Sequence, residues 1–315
     1  MASILTFQGK IYLIDAGPAL MSNLAALGIS VGEIEGIFQT HAHDDHFAGI
    51  ASLIRADSRI KYFSATLVRA SVQKKLSALM SIEESDFADF FEIHDLNPGE
   101  WNNIEGLEVK PTYSPHPVEI TMVTFRTQWG EGYKTYSHLA DISGFDVLKK
   151  MVTKERFEQT RKIYLESADL KKIDAGGGMI HGKADDFSAD DSNKILLAHS
   201  ERPLSSAQRK IGSNAYFGMQ DILVPTADDG KKERALGFLR AAYPDVPDYE
   251  LRMLSSYPVV PYNAGSIIVR GGTACTSVIL LVSGVAEFIE NESGITNRLS
   301  AGSIIGEPAA IHKTR

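Results

Sequence analysis

Between residues 34 and 46 the chain reads Ile-Glu-Gly-Ile-Phe-Gln-Thr-His-Ala-His-Asp-Asp-His, a short apolar run that ends in a knot of imidazoles and carboxylates. Nothing else in the sequence constrains the fold as tightly. Residues 34–39 have the length and composition of a buried strand, and residues from Phe47 onward read as helix. His41, His43, Asp45 and His46 therefore sit on a strand-to-helix loop, four candidate ligands within six residues, and they include three of the chain's nine histidines. Such a loop can turn two or more of these side chains onto one point. Burying them together without a cation is costly, because their polar atoms lose water and gain no partner. Neutral imidazole and carboxylate suit zinc, manganese or iron.

The surrounding pattern alternates strands and helices. A hairpin is expected around Gln8-Gly9, with its second strand at residues 10–14 ended by the turn residues Asp15-Ala16-Gly17-Pro18. Leu20, Leu24 and Leu27 share one helical face, and Gly28 follows as a C-cap. Further strands are expected at residues 60–63, 107–112, 121–126, 134–137 and 195–198, and helices at 65–80 and 145–153. This is an α/β pattern. A length of 315 residues allows two domains. The composition shifts at the polar stretch Thr226-Ala-Asp-Asp-Gly-Lys-Lys. Beyond it come a short helix at 234–242 and, from Tyr257, brief apolar runs punctuated by Gly265, Gly271, Gly272, Gly284, Gly294, Gly302 and Gly306, the signature of a small barrel or roll. The expected domains are residues 1–227 and 228–315.

Composition narrows the function. Forty acidic residues against thirty-two basic ones give a formal charge of -8 and no Lys/Arg-rich tract, so long nucleic acid is not an expected partner. The one cysteine, Cys275, excludes an intramolecular disulfide and fits a reducing, cytoplasmic compartment. The longest apolar run, residues 278–289, is too short and too polar to span a bilayer, and the first residues lack the basic and apolar regions of a signal peptide. Gly176-Gly177-Gly178 lacks the Lys-Ser/Thr pair of a phosphate loop.

The run from His41 to His46 resembles the first motif of the metallo-β-lactamase-fold hydrolases, His-x-His-x-Asp-His, and the resemblance extends over about the first 225 residues. The later motifs find matches in order: His116 within Ser-Pro-His-Pro, Asp141 after the strand at 134–137, and His199 after the strand at 195–198. His138 competes with Asp141, and His181 with His199. The resemblance implies a four-layer αβ/βα sandwich holding two divalent metal ions, zinc first, with manganese or iron as alternatives. His41, His43 and His116 would hold one ion, Asp45, His46 and His199 the other, and Asp141 would bridge them. It also implies that a hydroxide shared by the two ions attacks an ester-type bond in a small phosphodiester, thioester or lactone. Asp45 would in addition orient the nucleophile or take its proton. His181, on the glycine-rich loop, is the first candidate proton donor. Asp44 is expected to face solvent or a supporting bond, and His94 to be structural. The family's extra strand before residues 10–14 falls here on Ser3–Phe7 or lies outside the sequence.

From about residue 234 the chain resembles the start of a cyclic nucleotide-binding domain. The residues that carry this are Gly265-Ser-Ile-Ile-Val-Arg-Gly271, the run from Val278 to Glu287, and the run from Leu299 to Ala310. Gly306, Glu307, Ala309 and Ala310 occupy the places of that family's phosphate-binding cassette, where the glutamate holds the ribose hydroxyl and backbone N–H groups hold the cyclic phosphate. Arg315 stands eight residues beyond Glu307, near the place of the cassette arginine. The closing strands and helices do not follow, so the segment is a partial β-roll. It would regulate the hydrolase through a cyclic nucleotide, or serve only packing and homodimerisation. Two other readings compete with hydrolysis: a di-iron oxygen or redox sensor, which often carries glutamate where this chain has His43, and a non-catalytic signalling module.

Overall fold

A computed structural model describes residues 2–54, 59–177, 180–200, 203–224, 230–255, 257–272, 277–290 and 293–306. The chain divides into two compact units, residues 1–20 with 31–215, and residues 21–30 with 216–315.

The first unit is built on two sheets. One contains β1 (Ser3–Phe7), β2 (Lys10–Ile14), β3 (Ile34–Phe38), β4 (Ile60–Ser64) and β5 (Phe91–Asp95), in that spatial order. The other contains β6 (Asn102–Ile104), β7 (Leu107–Tyr113), β8 (Thr121–Trp129), β9 (Gly132–His138), β10 (Leu170–Asp174), β11 (Ile195–Ala198) and β12 (Ser213–Asn214), arranged from β12 to β6. β1 and β2 form the expected hairpin, with Gln8 and Gly9 both at positive φ, as a two-residue turn between twisted strands requires. β2 through β5 then run parallel, as do β9 through β12, while β6 through β9 are antiparallel.

The sheets face each other across an aromatic core. Tyr12, Phe38 and Phe63 from the first sheet meet Leu107, Val109, Val123 and Phe125 from the second. Phe38 stacks on Phe63 at 4.8 Å and meets Phe125 edge-to-face at 5.0 Å. β2 is buried from Ile11 to Ile14 on both faces, as expected of a parallel strand covered on each side. Past Leu20, helix α1 (Leu20–Ala26) belongs to the second unit. Around the sheets run α2 (Asp44–Phe47), α3 (Ile50–Leu53), α4 (Thr66–Met80), α5 (Phe87–Phe90), α6 (Phe145–Met151), α7 (Lys154–Tyr164) and α8 (Gln208–Ile211). Leu148 of α6 and Phe157 and Tyr164 of α7 pack with Ile173, Ile195 and Leu197 from β10 and β11. α4 buries Val68, Val72 and Leu76, spaced four apart on one face. The result is the expected αβ/βα sandwich.

Several elements differ from the sequence expectation. Helix begins at Asp44 rather than Phe47, so Asp45 and His46 are helical and not on the expected loop, and it breaks at Gly49 before resuming at Ile50. Gly49 N–H donates to the Ala16 carbonyl at 2.7 Å, and a Cβ there would lie 2.5 Å from the Gly17 carbonyl oxygen. The helix expected at 145–153 stops at Met151, and Thr153 caps α7 by accepting from Arg156 N–H. β10 was hidden by its two lysines. Lys171 is fully buried, donating to the Tyr164 carbonyl at 3.0 Å and pairing with Asp190. Lys172 donates to Ser3 Oγ at 2.7 Å.

In the second unit α9 (Lys231–Ala242) and α10 (Asp248–Ser255) bury Leu236, Leu239 and Leu251 together, with Tyr243, Val246 and Leu280 against them. Asp248 accepts from Arg240 and Arg252, each at 2.7 Å. Two short antiparallel ladders follow: β13 (Ile279–Leu280) pairs β16 (Ile304–Ile305), and β14 (Ala286–Ile289) pairs β15 (Thr296–Leu299). Gly306 follows β16 with φ 87°. Glu307, Ala309, Ala310 and Arg315 lie outside the described residues, as does Cys275. Among the described residues no helix is long and apolar enough to cross a membrane.

Candidate metal centre

The chemistry-bearing residues collect at the carboxyl ends of the parallel strands, where open α/β sheets place their ligands. Asp15 follows β2, the His41–His46 run follows β3, Asp141 follows β9, Asp174 ends β10 and His199 follows β11. His116 comes from the loop between β7 and β8. Asp15, Ala140 and His199 all adopt positive φ (62°, 52° and 60°). Such a backbone costs about 1–3 kcal/mol per residue and persists where the surroundings fix it.

Asp15 organises the histidine loop from beneath. One of its oxygens accepts from Thr40 N–H at 2.7 Å, and the other from the Thr40 hydroxyl at 2.8 Å and from His46 Nδ1 at 2.7 Å. With its proton on Asp15, the Thr40 oxygen is left to accept from His41 Nδ1 at 2.9 Å. Both imidazoles therefore carry a proton on Nδ1 and turn Nε2 toward the site, the arrangement that suits metal ligands. The Gln39 amide donates to the His41 and His46 carbonyls, at 2.6 and 3.2 Å, and holds the loop closed.

Three overlapping donor groups share Asp141, beside a fourth made by Asp15, His41 and His46. His41, His43, His116 and Asp141 each place one ligand atom within 4.8 Å of the others, and so do Asp45, His46, Asp141 and His199. Asp141 belongs to both, with one oxygen 3.4 Å from His41 Nε2 and the other 3.1 Å from His46 Nε2. Asp45 reaches His46 Nε2 at 3.2 Å and His199 Nε2 at 3.0 Å. The third group is Asp141, Asp174, His181 and His199. His181 Nδ1 donates to Asp174 at 2.8 Å. Asp174 also accepts from the Gly176 and Gly182 N–H groups, at 2.9 and 3.2 Å.

Electrostatics separates the groups. Burial opposes a charge on His46, but Asp15, Asp141 and Asp45 outweigh it and raise its pKa to about 11. Burial likewise opposes a charge on His199, and Asp174, Asp45 and Asp141 lift it to about 9. At His116 burial prevails over Asp141, the one carboxylate that offsets it, and takes the pKa down to about 4. Burial also lowers His43. Asp141 is held well below the usual carboxylate range by His41 and His46, against the opposing effect of burial.

The donor set fits divalent cations. His46 Nε2, both ring nitrogens of His116 and Asp141 Oδ1 are buried with no hydrogen-bond partner. Buried polar atoms are rarely left so, and these all belong to residues of the two donor groups joined at Asp141. Imidazoles with one or two carboxylates match zinc, manganese or iron chemistry.

All seven sequence-predicted ligands therefore come together, and His181 stands beside them. His138 belongs to none of the donor groups. It is buried, its Nδ1 lies 2.8 Å from the Tyr136 hydroxyl, and burial lowers it to about 3. His94 stacks on Phe63 at 5.0 Å and meets Glu92 at 2.7 Å, as a structural residue would. Asp44 is 87% exposed and pairs with Lys75. Sequence reasoning missed Asp15, Thr40 and Asp174. Their one signal was place, since each stands at or just beyond the end of a strand, and Asp15 and Asp174 precede glycine-containing turns.

A two-sheet αβ/βα sandwich with histidines and aspartates at its strand ends defines a metallo-β-lactamase-fold protein. Two solved structures share the fold. One is the metallo-β-lactamase fold protein YhfI from Bacillus subtilis, with TM-score 0.50 and 15% identity, covering 68% of this chain and 87% of that one. The other is a diphosphatase from the PhnP family, with TM-score 0.52 and 14% identity, covering 71% of this chain and 85% of that one. Residues 2–165 match the family described as "Anti-Pycsar protein Apyc1", and the chain belongs to that family. A curated relative, the cAMP/cGMP-dependent 3',5'-cAMP/cGMP phosphodiesterase B of Dictyostelium discoideum, is 21% identical over 99% of this chain. The chain spans only 29% of that relative's length. The fold is that of the metallo-β-lactamase-fold proteins, and its donor groups could hold metal ions.

Proposed function

We propose that the chain is a metal-dependent phosphodiesterase acting on a cyclic nucleotide. The observation that carries this is the pair of donor groups joined at Asp141, which could hold two cations. His41, His43 and His116 would hold one ion and Asp45, His46 and His199 the other, with zinc favoured over manganese or iron. Two divalent ions there supply a water acidified to near neutral pH and a positive field for the ester oxygens. A phosphodiester is chosen over a thioester or lactone because a relative aligned along the whole chain carries a cyclic-nucleotide phosphodiesterase name.

The chain's own groups supply the rest. Asp45 has a side chain 48% exposed, so one carboxylate edge can accept a proton from the attacking water while the other stays with His46 and His199. His181 is raised by its bond to Asp174, remains 27% exposed, and is placed to give a proton to the leaving oxygen. Asp174 fixes that ring through Nδ1 and leaves Nε2 for the substrate. In the second unit, Gly306 with Glu307, Ala309, Ala310 and Arg315 would form part of a cyclic-nucleotide cassette. The same relative's name, which calls it cAMP/cGMP-dependent, supports a regulatory role for residues 228–315. The single cysteine favours the cytoplasm.

The test is incubation of zinc- or manganese-loaded protein with 3',5'-cAMP and 3',5'-cGMP, beside a thioester and a lactone, with products separated by chromatography. Nucleoside monophosphate formation that stops on chelation is the expected result. Turnover of the thioester or lactone alone would overturn the substrate assignment. Two bound irons with an oxygen-responsive visible band would move the reading to a redox sensor.

A further inference from the structure

Helix α4 supplies no ligand, yet one flank of it touches both loops that deliver the first donor group. Val68, Val72 and Leu76 bury the inner face of the helix. Ser71 and Lys75 stand beside that face, four residues apart and so one turn from each other. Lys75 Nζ donates to the Ala42 carbonyl and to Asp44 Oδ1, each at 2.6 Å, and lies 4.6 Å above the Phe47 ring. Ala42 separates His41 from His43, so its carbonyl direction sets how the two imidazoles diverge. Asp44 opens α2, whose N-cap residue, His43, makes no side-chain capping bond. One turn earlier on α4, Ser71 Oγ donates to Glu119 at 2.7 Å, in the loop that carries His116.

We infer that Lys75, supported by Ser71, is a positioning residue that fixes His41, His43 and His116 relative to one another. The inference rests on the metal reading above. The important bond is to the Ala42 carbonyl. The pair with Asp44 is a surface ion pair, and such pairs contribute little. The second donor group is held chiefly through Asp15 and Asp174, and α4 reaches its helix, α2, only at Asp44 and Phe47.

Metal-free protein titrated with zinc against a chromogenic chelator tests this, with the melting temperature of the same metal-free samples recorded alongside. Wild type should take up two ions. Lys75→Met should weaken one of them by about tenfold or more, in the range found for residues that orient ligands, and leave the other unchanged. Lys75→Arg should restore the lost affinity, Ser71→Ala should give a smaller loss at the same ion, and Asp44→Ala should change neither. Should Lys75→Met not fold, Lys75→Gln keeps the stem and a neutral donor and carries the same expectation. A lowered melting temperature with both zinc affinities intact would overturn the inference, as would equal losses in Asp44→Ala and Lys75→Met. Wild type that takes up no zinc overturns the metal reading and this inference together. Two wild-type ions with an unaltered Lys75→Met overturn this inference alone.

Discussion

The two halves of the candidate centre share Asp141 but are prepared for a cation in opposite ways. The half made by His41, His43 and His116 has little carboxylate around it, and burial keeps His116 and His43 neutral. The half made by Asp45, His46 and His199 is crowded by Asp15, Asp45 and Asp174, which hold protons on His46 and His199. His43 and His116 offer bare nitrogens at neutral pH, whereas at His46 and His199 a cation must displace protons. A pair of chemically similar triads thus differs because of the residues behind them.

The sharpest way to break this comparison is Asp141→Asn, which removes the carboxylate common to both halves. Metal content should fall from two ions toward one or none, and hydrolysis by more than the 10–100-fold typical of supporting residues. Elemental mass spectrometry and a phosphodiesterase assay read both. Asp15→Asn should act unevenly. It deprives His46 of its direct partner, and the second ion should weaken by about 10–100-fold, with a smaller loss at the first, as seen by zinc competition. Thr40→Val cuts only the link from Asp15 to His41, so the ranking should reverse, the first ion losing about tenfold and the second little.

The smallest effect is a pH dependence of the metal-free protein. His46 and His199 have folded pKa values raised above the ordinary histidine value of about 6.5. The stability they contribute is fully present below that value and is lost as pH rises through about 9 for His199 and about 11 for His46. The melting temperature in chelator should therefore fall between about pH 6.5 and 9. Saturating zinc should remove that slope, because bound ligands no longer titrate. A flat profile in chelator would mean that the two histidines are neutral in the folded apo-protein.

Legibility from sequence followed the same division. The ligands were readable because each belongs to a motif of distinctive residue types at strand ends. The supporting residues were not, because an aspartate before a glycine reads first as a turn, which is how Asp15 was taken. Asp174 was further obscured by Lys171 and Lys172 in its strand, since a buried lysine paired through space with Asp190 leaves no periodic trace. The break after Met151 was written locally in the Thr153 N-cap, but the one at Gly49 depends on tertiary contacts with the Ala16 and Gly17 carbonyls. Local propensity does not contain that information.

The wide sequence spacing of the donors has a kinetic consequence. Residues 15, 41, 116, 141, 174 and 199 meet only when β2, β3, β9, β10 and β11 have all taken their places. Such long-range pairings form slowly, because loop closure precedes any reward from contact. No fragment of the sandwich could hold both proposed ions, so their capture would come after the rate-limiting step of folding. Metal should then leave the refolding rate nearly unchanged and slow unfolding instead, turning the centre into a lock on a fold already made.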